Sequence, residues 1–149
     1  MPLTTNTFSD TTLDDLLAAA RVAREHAYAP YSAFAVGAVV QTRDGRRFNG
    51  CNVENAAYGL CNCAERTALF AAIAAGCRPG DFVALAVVAD TAGPTSPCGA
   101  CRQVLAELCD QAMPVILGNL HGATQKTTVA ALLPAAFSLE PPTAPVRAR

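Results

Sequence analysis

Two short stretches carry reactive side chains in a spacing that suits a metal ion. They are Cys63-Ala64-Glu65-Arg66 and Pro97-Cys98-Gly99-Ala100-Cys101-Arg102, and each falls where a helix is expected to begin. Thiolates are good zinc ligands, with Zn–S near about 2.3 Å. Cys98 and Cys101, two residues apart at a helix start, can converge on one ion, and Cys63 from the other helix can supply a third sulfur. Three protein ligands leave a fourth tetrahedral position open to water, which marks a catalytic rather than a structural site. Thiolates at a helix N-terminus also meet the positive end of the helix dipole, so two helix starts can face one anionic cluster.

The neighbours of these cysteines fit the same chemistry. Arg66 lies one helical turn after Cys63 and can hydrogen-bond a thiolate, drawing negative charge off the sulfur. Glu65 is the candidate acid and base. Two positions after a ligand it would point elsewhere on a regular helix, but at the helix end both side chains can reach a group placed beyond the terminus. The spacing permits this arrangement without requiring it. A closed structural site formed by Cys61, Cys63, Cys98 and Cys101 is the alternative, although Cys61-Asn62-Cys63 has a single intervening residue where such knuckles have about two to four. On spacing alone both arrangements stay open.

The elements that must position these residues can be read from periodicity. Thr12 to Asp15 resembles a helix start, and Leu13, Leu16, Leu17, Ala20, Ala23 and Ala27 place one apolar stripe on a helix closed by Pro30. Phe34 to Thr42 reads as a strand, Arg43 to Arg46 as a turn built on Asp44-Gly45, and Arg47 to Val53 as the return arm. Cys63 to Ala75 is helical, with Gly76 as its C-cap. Phe82 to Ala89 is an unbroken apolar run of strand length. Cys98 to Leu108 is a second short helix, Pro114 to Leu117 a strand, Asn119 to Gly122 a turn, and Thr127 to Leu133 a further strand or strand end. This order predicts a mixed sheet layered with helices. The start, about 1–11, reads as loose, and the end, about 138–149, as a Pro-rich tail.

Composition bounds the function. The chain of 149 residues is read as a single domain, 1–149, and its net charge of -1 offers no electrostatic footprint for nucleic acid or an anionic membrane. Charged residues make up 15%, against a usual share of roughly 25%, which points to an outer surface partly hidden in an oligomer. The run Phe82 to Ala89 is too short to span a bilayer, and the opening Met1 to Asn6 shows no targeting signal, so a cytoplasmic location is expected. Seven cysteines form an odd set, which favours metal or catalytic use over disulfides, with Cys51, Cys61, Cys77 and Cys109 as plain core thiols. His26 and His121 lie outside every motif.

Cys63-Ala64-Glu65 followed by Pro97-Cys98-Gly99-Ala100-Cys101 matches the signature of zinc nucleobase deaminases in its three-cysteine form. Together with Pro30 to Ala38, Gly50 to Ala56, Cys63 to Ala68 and Ser96 to Gln103, the chain resembles the small, homotetrameric, free-nucleoside cytidine deaminases from about Leu13 to Phe137. The resemblance implies a three-layer α/β/α fold around a five-stranded mixed sheet. It implies one Zn2+ per subunit on Cys63, Cys98 and Cys101, with Glu65 as proton shuttle and Arg66 as a partner of the thiolates. It further implies that Phe34 lines the nucleoside pocket and that Asn52 and Glu54 bind the sugar. The Ala64 N–H and the Ser96 carbonyl would read the pyrimidine edge, and Phe137 would reach a neighbouring subunit's base. The expected reaction is hydrolytic deamination of cytidine and deoxycytidine in pyrimidine salvage. A deaminase of an aminonucleoside antibiotic of the blasticidin S type, and a non-catalytic zinc-stabilised domain, are the competing readings.

Overall fold

The structure, a computed structural model, describes residues 10–139. The first helix, α1 (Asp10–Arg24), begins inside the stretch expected to be loose. The rest of that stretch, and the tail from 140 onward, lie outside the described residues. Leu13, Leu16, Leu17, Ala20 and Ala23 form its buried stripe as expected. The helix does not run on to Pro30. After Arg24 the bonds tighten to three-residue spacing, with Ala27 N donating to Arg24 O, and Tyr28 N then leaves to bond Asn52 O at 3.0 Å. The chain here exchanges helical bonds for a tie to the neighbourhood of the site.

Five strands follow: β1 (Val36–Thr42), β2 (Arg47–Cys51), β3 (Phe82–Ala89), β4 (Pro114–Asn119) and β5 (Thr124–Thr128). They line up as β2-β1-β3-β4-β5. β1 is antiparallel to both β2 and β3, so β2 and β3 run the same way, while β3 and β4 are parallel and β4 and β5 antiparallel. β1 and β2 each start or stop short of the expected bounds. Phe34 and Ala35 precede β1, and Val53 makes only isolated bridges, to Tyr28 and Asn62.

Three further helices are α2 (Ala64–Ala74), α3 (Gly99–Leu108) and α4 (Val129–Leu132). The last corrects the expected strand over 127–133. Only Thr127 and Thr128 belong to β5, and Thr128 Oγ1 then accepts a hydrogen bond from Ala131 N at 3.2 Å. That bond caps a single helical turn in the way a threonine at a helix start commonly does.

The sheet is covered on both faces. α1 packs on Val39, Ala84, Ala86, Val88 and Ile116, and the opposite face gathers Ala38, Val40, Leu85, Val87 and Leu117 with Ala68, Leu69 and Leu105 from α2 and α3. Alternate residues of β3 therefore enter different cores, which is why that strand is apolar throughout. The result is the expected three-layer α/β/α arrangement around a five-stranded mixed sheet.

Two glycines let helices press onto the sheet. A Cβ on Gly37 would lie 2.0 Å from Ala20 O in α1, and one on Gly50 would lie 2.2 Å from Ala64 O and 2.4 Å from Ala68 N in α2. The second contact sets the first turn of α2 directly against β2. Both α2 and α3 start beyond the carboxyl ends of the parallel strands β2 and β3, where ligands gather in sheets of this kind.

Candidate metal centre and active site

Cys63 and Cys98 are the N-cap residues of α2 and α3, and Cys101 stands in the first turn of α3. Their three Sγ atoms lie within 4.8 Å of one another, with Cys63 and Cys98 at 3.8 Å. A tetrahedral ion with bonds of about 2.3 Å holds its sulfurs about 3.8 Å apart, which is the Cys63–Cys98 separation. Neither cap residue uses its side chain on its own helix, which leaves both sulfurs free to turn inward. Cys61 is not part of the cluster. Its sulfur bonds Asn55, accepting from Asn55 N at 3.3 Å and donating to Asn55 O at 3.6 Å, so the closed four-sulfur arrangement is set aside.

Charge is shared unevenly among these groups. Hydrogen bonding from Cys101, reinforced by Arg66, outweighs burial and holds the Cys63 thiol well below its ordinary range. Cys101 is pushed the opposite way, first by the same bond to Cys63 and then by burial. Arg66 donates to Cys63 Sγ at 3.2 Å, and that bond holds its guanidinium all the more firmly protonated. Among the described residues its Nε is buried with no hydrogen-bond partner. A cation set this close to the sulfurs suits an anionic metal–thiolate cluster.

Glu65, the second residue of α2, is 4% exposed. Burial, with the nearby Cys63 charge, raises its carboxyl above the usual carboxylate range, although Cys101 and Arg66 pull the other way. A buried carboxyl beside a metal cradle and raised in this way is suited to taking up and returning a proton. The sequence spacing left its direction open; the packing of α2 on Gly50 and the facing first turn of α3 bring it beside Cys101. Ala64 is fully buried at the start of α2, where a helix N–H has no partner within its own helix.

Phe34, Asn52 and Glu54 come together in one network. Asn52 Nδ2 donates to Phe34 O at 2.7 Å, and Asn52 Oδ1 accepts from Val36 N at 2.8 Å. Glu54 accepts from the backbone N and hydroxyl of Ser32, and Ser32 Oγ in turn accepts from Phe34 N at 3.0 Å. Ala33, between them, has φ 56°, a left-handed conformation that an L-residue adopts only where its surroundings hold it. Phe34 is 42% exposed, so the loop leaves an aromatic side chain partly open to solvent. Ser32 was not among the expected site residues. Its position two residues before Phe34 in Pro30-Tyr31-Ser32 was the only sequence sign of it.

Ser96 lies in the loop that delivers Cys98, and its hydroxyl accepts from Arg102 at 2.7 Å. Phe137 is 70% exposed within the chain, and its carbonyl accepts from Gln103 Nε2 at 2.9 Å. Of the remaining cysteines, Cys77 and Cys109 are buried as expected, with burial pushing the Cys109 thiol up to about 12. Cys51 is half-buried and bonds His26 O at 3.4 Å. His121 pairs with Asp90 at 2.8 Å on an exposed surface, away from the sulfurs.

Comparison with known proteins agrees with this geometry. The profile of the "Cytidine and deoxycytidylate deaminase zinc-binding region" matches residues 10–117. A cytidine deaminase of Sporosarcina psychrophila is 59% identical over 128 residues, covering 86% of this chain and 93% of its own length. Another from Halalkalibacterium halodurans is 60% identical over 118 residues, 79% of this chain and 88% of its own. The crystal structure of cytidine deaminase from Burkholderia pseudomallei superposes with a TM-score of 0.82 at 60% identity, covering 83% of this chain and 98% of that one. With the three sulfurs, the buried glutamate and the layered sheet all in their places, the chain belongs to the cytidine and deoxycytidylate deaminase zinc-binding family.

Proposed function

We propose that this chain hydrolyses the exocyclic amine of cytidine and deoxycytidine, giving uridine or deoxyuridine and ammonia, as a step of pyrimidine salvage. The observation that carries the reading is the convergence of three sulfurs beside one buried carboxyl. Zinc held by Cys63, Cys98 and Cys101 would lower the pKa of a water toward neutrality. Glu65 would take a proton from the attacking water and pass it to ring N3 as the water oxygen adds at C4. It then takes the proton of the new C4 hydroxyl and delivers it to the amino group; the C4–N bond breaks, ammonia leaves and the C4 carbonyl forms. Arg66 steadies the thiolates and limits the charge they place on the metal.

The rest of the site orients the nucleoside. The Ala64 N–H and the Ser96 carbonyl face the pyrimidine edge, and Phe34 covers the ring. Asn52 spends one donor and one acceptor on the Phe34–Val36 backbone and keeps one of each for a sugar hydroxyl. Glu54 likewise retains lone pairs beyond those given to Ser32. Phe137 completes the site of a neighbouring subunit in a homotetramer. The exposure of Tyr28, Tyr31, Tyr58, Leu60 and Phe137 on one chain supports such an assembly. No helix among the described residues is long and apolar enough to cross a membrane. The seven unpaired cysteines support a reducing, cytoplasmic setting.

The test is the ultraviolet absorbance of cytidine incubated with the purified protein. Steady conversion to uridine, lost on stripping zinc and regained on adding it back, is the expected result. A folded, zinc-loaded sample that leaves cytidine and deoxycytidine untouched overturns the reading, and turnover of blasticidin S in that sample would redirect it.

A further inference from the structure

The segment Ser96-Pro97 that delivers Cys98 to the cluster has little of its own to hold it. Pro97 has no N–H, and the last backbone tie before it is Thr95 N to Gly118 O at 3.1 Å. Cys98 itself makes no side-chain cap bond. Among the described residues, the loop hydrogen bonds to Ser96 and Pro97 come from a single side chain. Arg102 Nε donates to Pro97 O at 2.9 Å and one terminal nitrogen donates to Ser96 Oγ at 2.7 Å. The other terminal nitrogen donates to Leu132 O at 2.8 Å, at the end of α4. Arg102 is half-buried and among the described residues has no carboxylate partner; its three nitrogens are spent on neutral oxygens of two separate segments.

The geometry points to Arg102 as a positioning residue of the metal centre, a strut that fixes the Ser96–Cys98 backbone against α4 so that Cys98 Sγ meets Cys63 Sγ. Arg102 touches none of the sulfurs and acts through the loop. The arrangement needs arginine in particular. A planar guanidinium offers donors in three fixed directions, whereas an ammonium on a flexible stem cannot reach two segments at once. Cys101 is carried by the helix itself and keeps its place without the strut. Cys98, the exposed ligand at the end of a loop, is the one whose position depends on it. This assignment rests on the reading of the three sulfurs as zinc ligands.

The experiment measures zinc release to a chromogenic chelator from unmodified protein, Arg102→Lys, Arg102→Met and the surface control Glu107→Gln. The cobalt-substituted forms are compared by their sulfur-to-cobalt absorption. Groups that orient metal ligands change metal affinity by about 10–100-fold when removed. Both Arg102 variants are expected to release zinc at least about tenfold faster, with a weakened cobalt band and an unchanged far-ultraviolet circular dichroism spectrum. Glu107→Gln is expected to match the unmodified chain. Release as slow as the unmodified chain's, with an unchanged cobalt band, overturns the role of Arg102. Should both variants fail to fold, Ser96→Ala decides the matter: it keeps the arginine and removes one contact. Faster release then supports the strut and unchanged release overturns it. No zinc uptake by the unmodified chain would instead overturn the metal reading beneath it. Neither readout uses a nucleoside.

Discussion

Gly50 lies under the Ala64 carbonyl so closely that a Cβ there would stand 2.2 Å from the oxygen. The contact joins the buried end of β2 to the turn of α2 that follows Cys63 and bears Glu65. Gly50→Ala is expected to push α2 away from the sheet and to cost about 1–3 kcal/mol of stability, as overpacked cores do. Urea denaturation checks the cost. Zinc content measured on the same sample is expected to fall, because one ligand moves while the other two stay.

Glu65 and the metal are separable. Glu65→Gln keeps the shape of the side chain and removes its ability to shuttle a proton. Turnover is expected to drop by about 10²–10⁴-fold while zinc stays at one ion per chain by elemental analysis. A variant with full turnover would remove Glu65 from the mechanism.

Ser32 supports Glu54 and the Phe34 backbone together. Ser32→Ala removes the hydroxyl bonds and leaves the backbone N–H in place. A hydrogen bond of this kind is worth about 1 kcal/mol, so KM for the nucleoside is expected to rise about fivefold with kcat little changed. A fall in kcat at constant KM would instead place the effect at the reacting centre.

Asn119 is fully buried and satisfies four backbone groups: its amide donates to Thr91 O and Ala92 O and accepts from His121 N and Ala123 N. Asn119→Ala strands these partners, each worth about 1–3 kcal/mol when left unpaired. A loss of at least about 2 kcal/mol in urea denaturation is expected. Asn119→Asp keeps the acceptor and loses the donor, and is expected to recover only part of it.

The extent to which sequence foretold structure follows from where each residue's partners lie. β3 could be bounded to the residue because both its faces are buried, so every position had to be apolar. The clustering of Cys63, Cys98 and Cys101 was legible because the two helix starts and the spacing of Cys98 and Cys101 are local. α4 was read as strand because Thr127 to Leu133 is a short apolar stretch without a period, and the deciding bond is a single threonine cap. The expected helix to Pro30 stopped early because Tyr28 pairs with Asn52, a partner 24 positions on that no local pattern announces. Ser32, Arg102 and Asn119 were missed for the same reason: their bonds cross to other elements.

Cys63 and Cys98 stand 35 positions apart, and the stretch between them includes α2 and the whole of β3. An ion gripping both sulfurs therefore ties that stretch into a ring with the central strand inside it. Ring closure removes conformations from the unfolded chain, at a cost that grows only slowly with loop length. It also means that β3 cannot be drawn out of the sheet end-first while the ion is held. Amide hydrogen exchange in β3 is expected to slow on zinc loading by more than that of β5, which lies outside the ring. A metal held by these two sulfurs would thus also act as a fastener on the strand that both cores share.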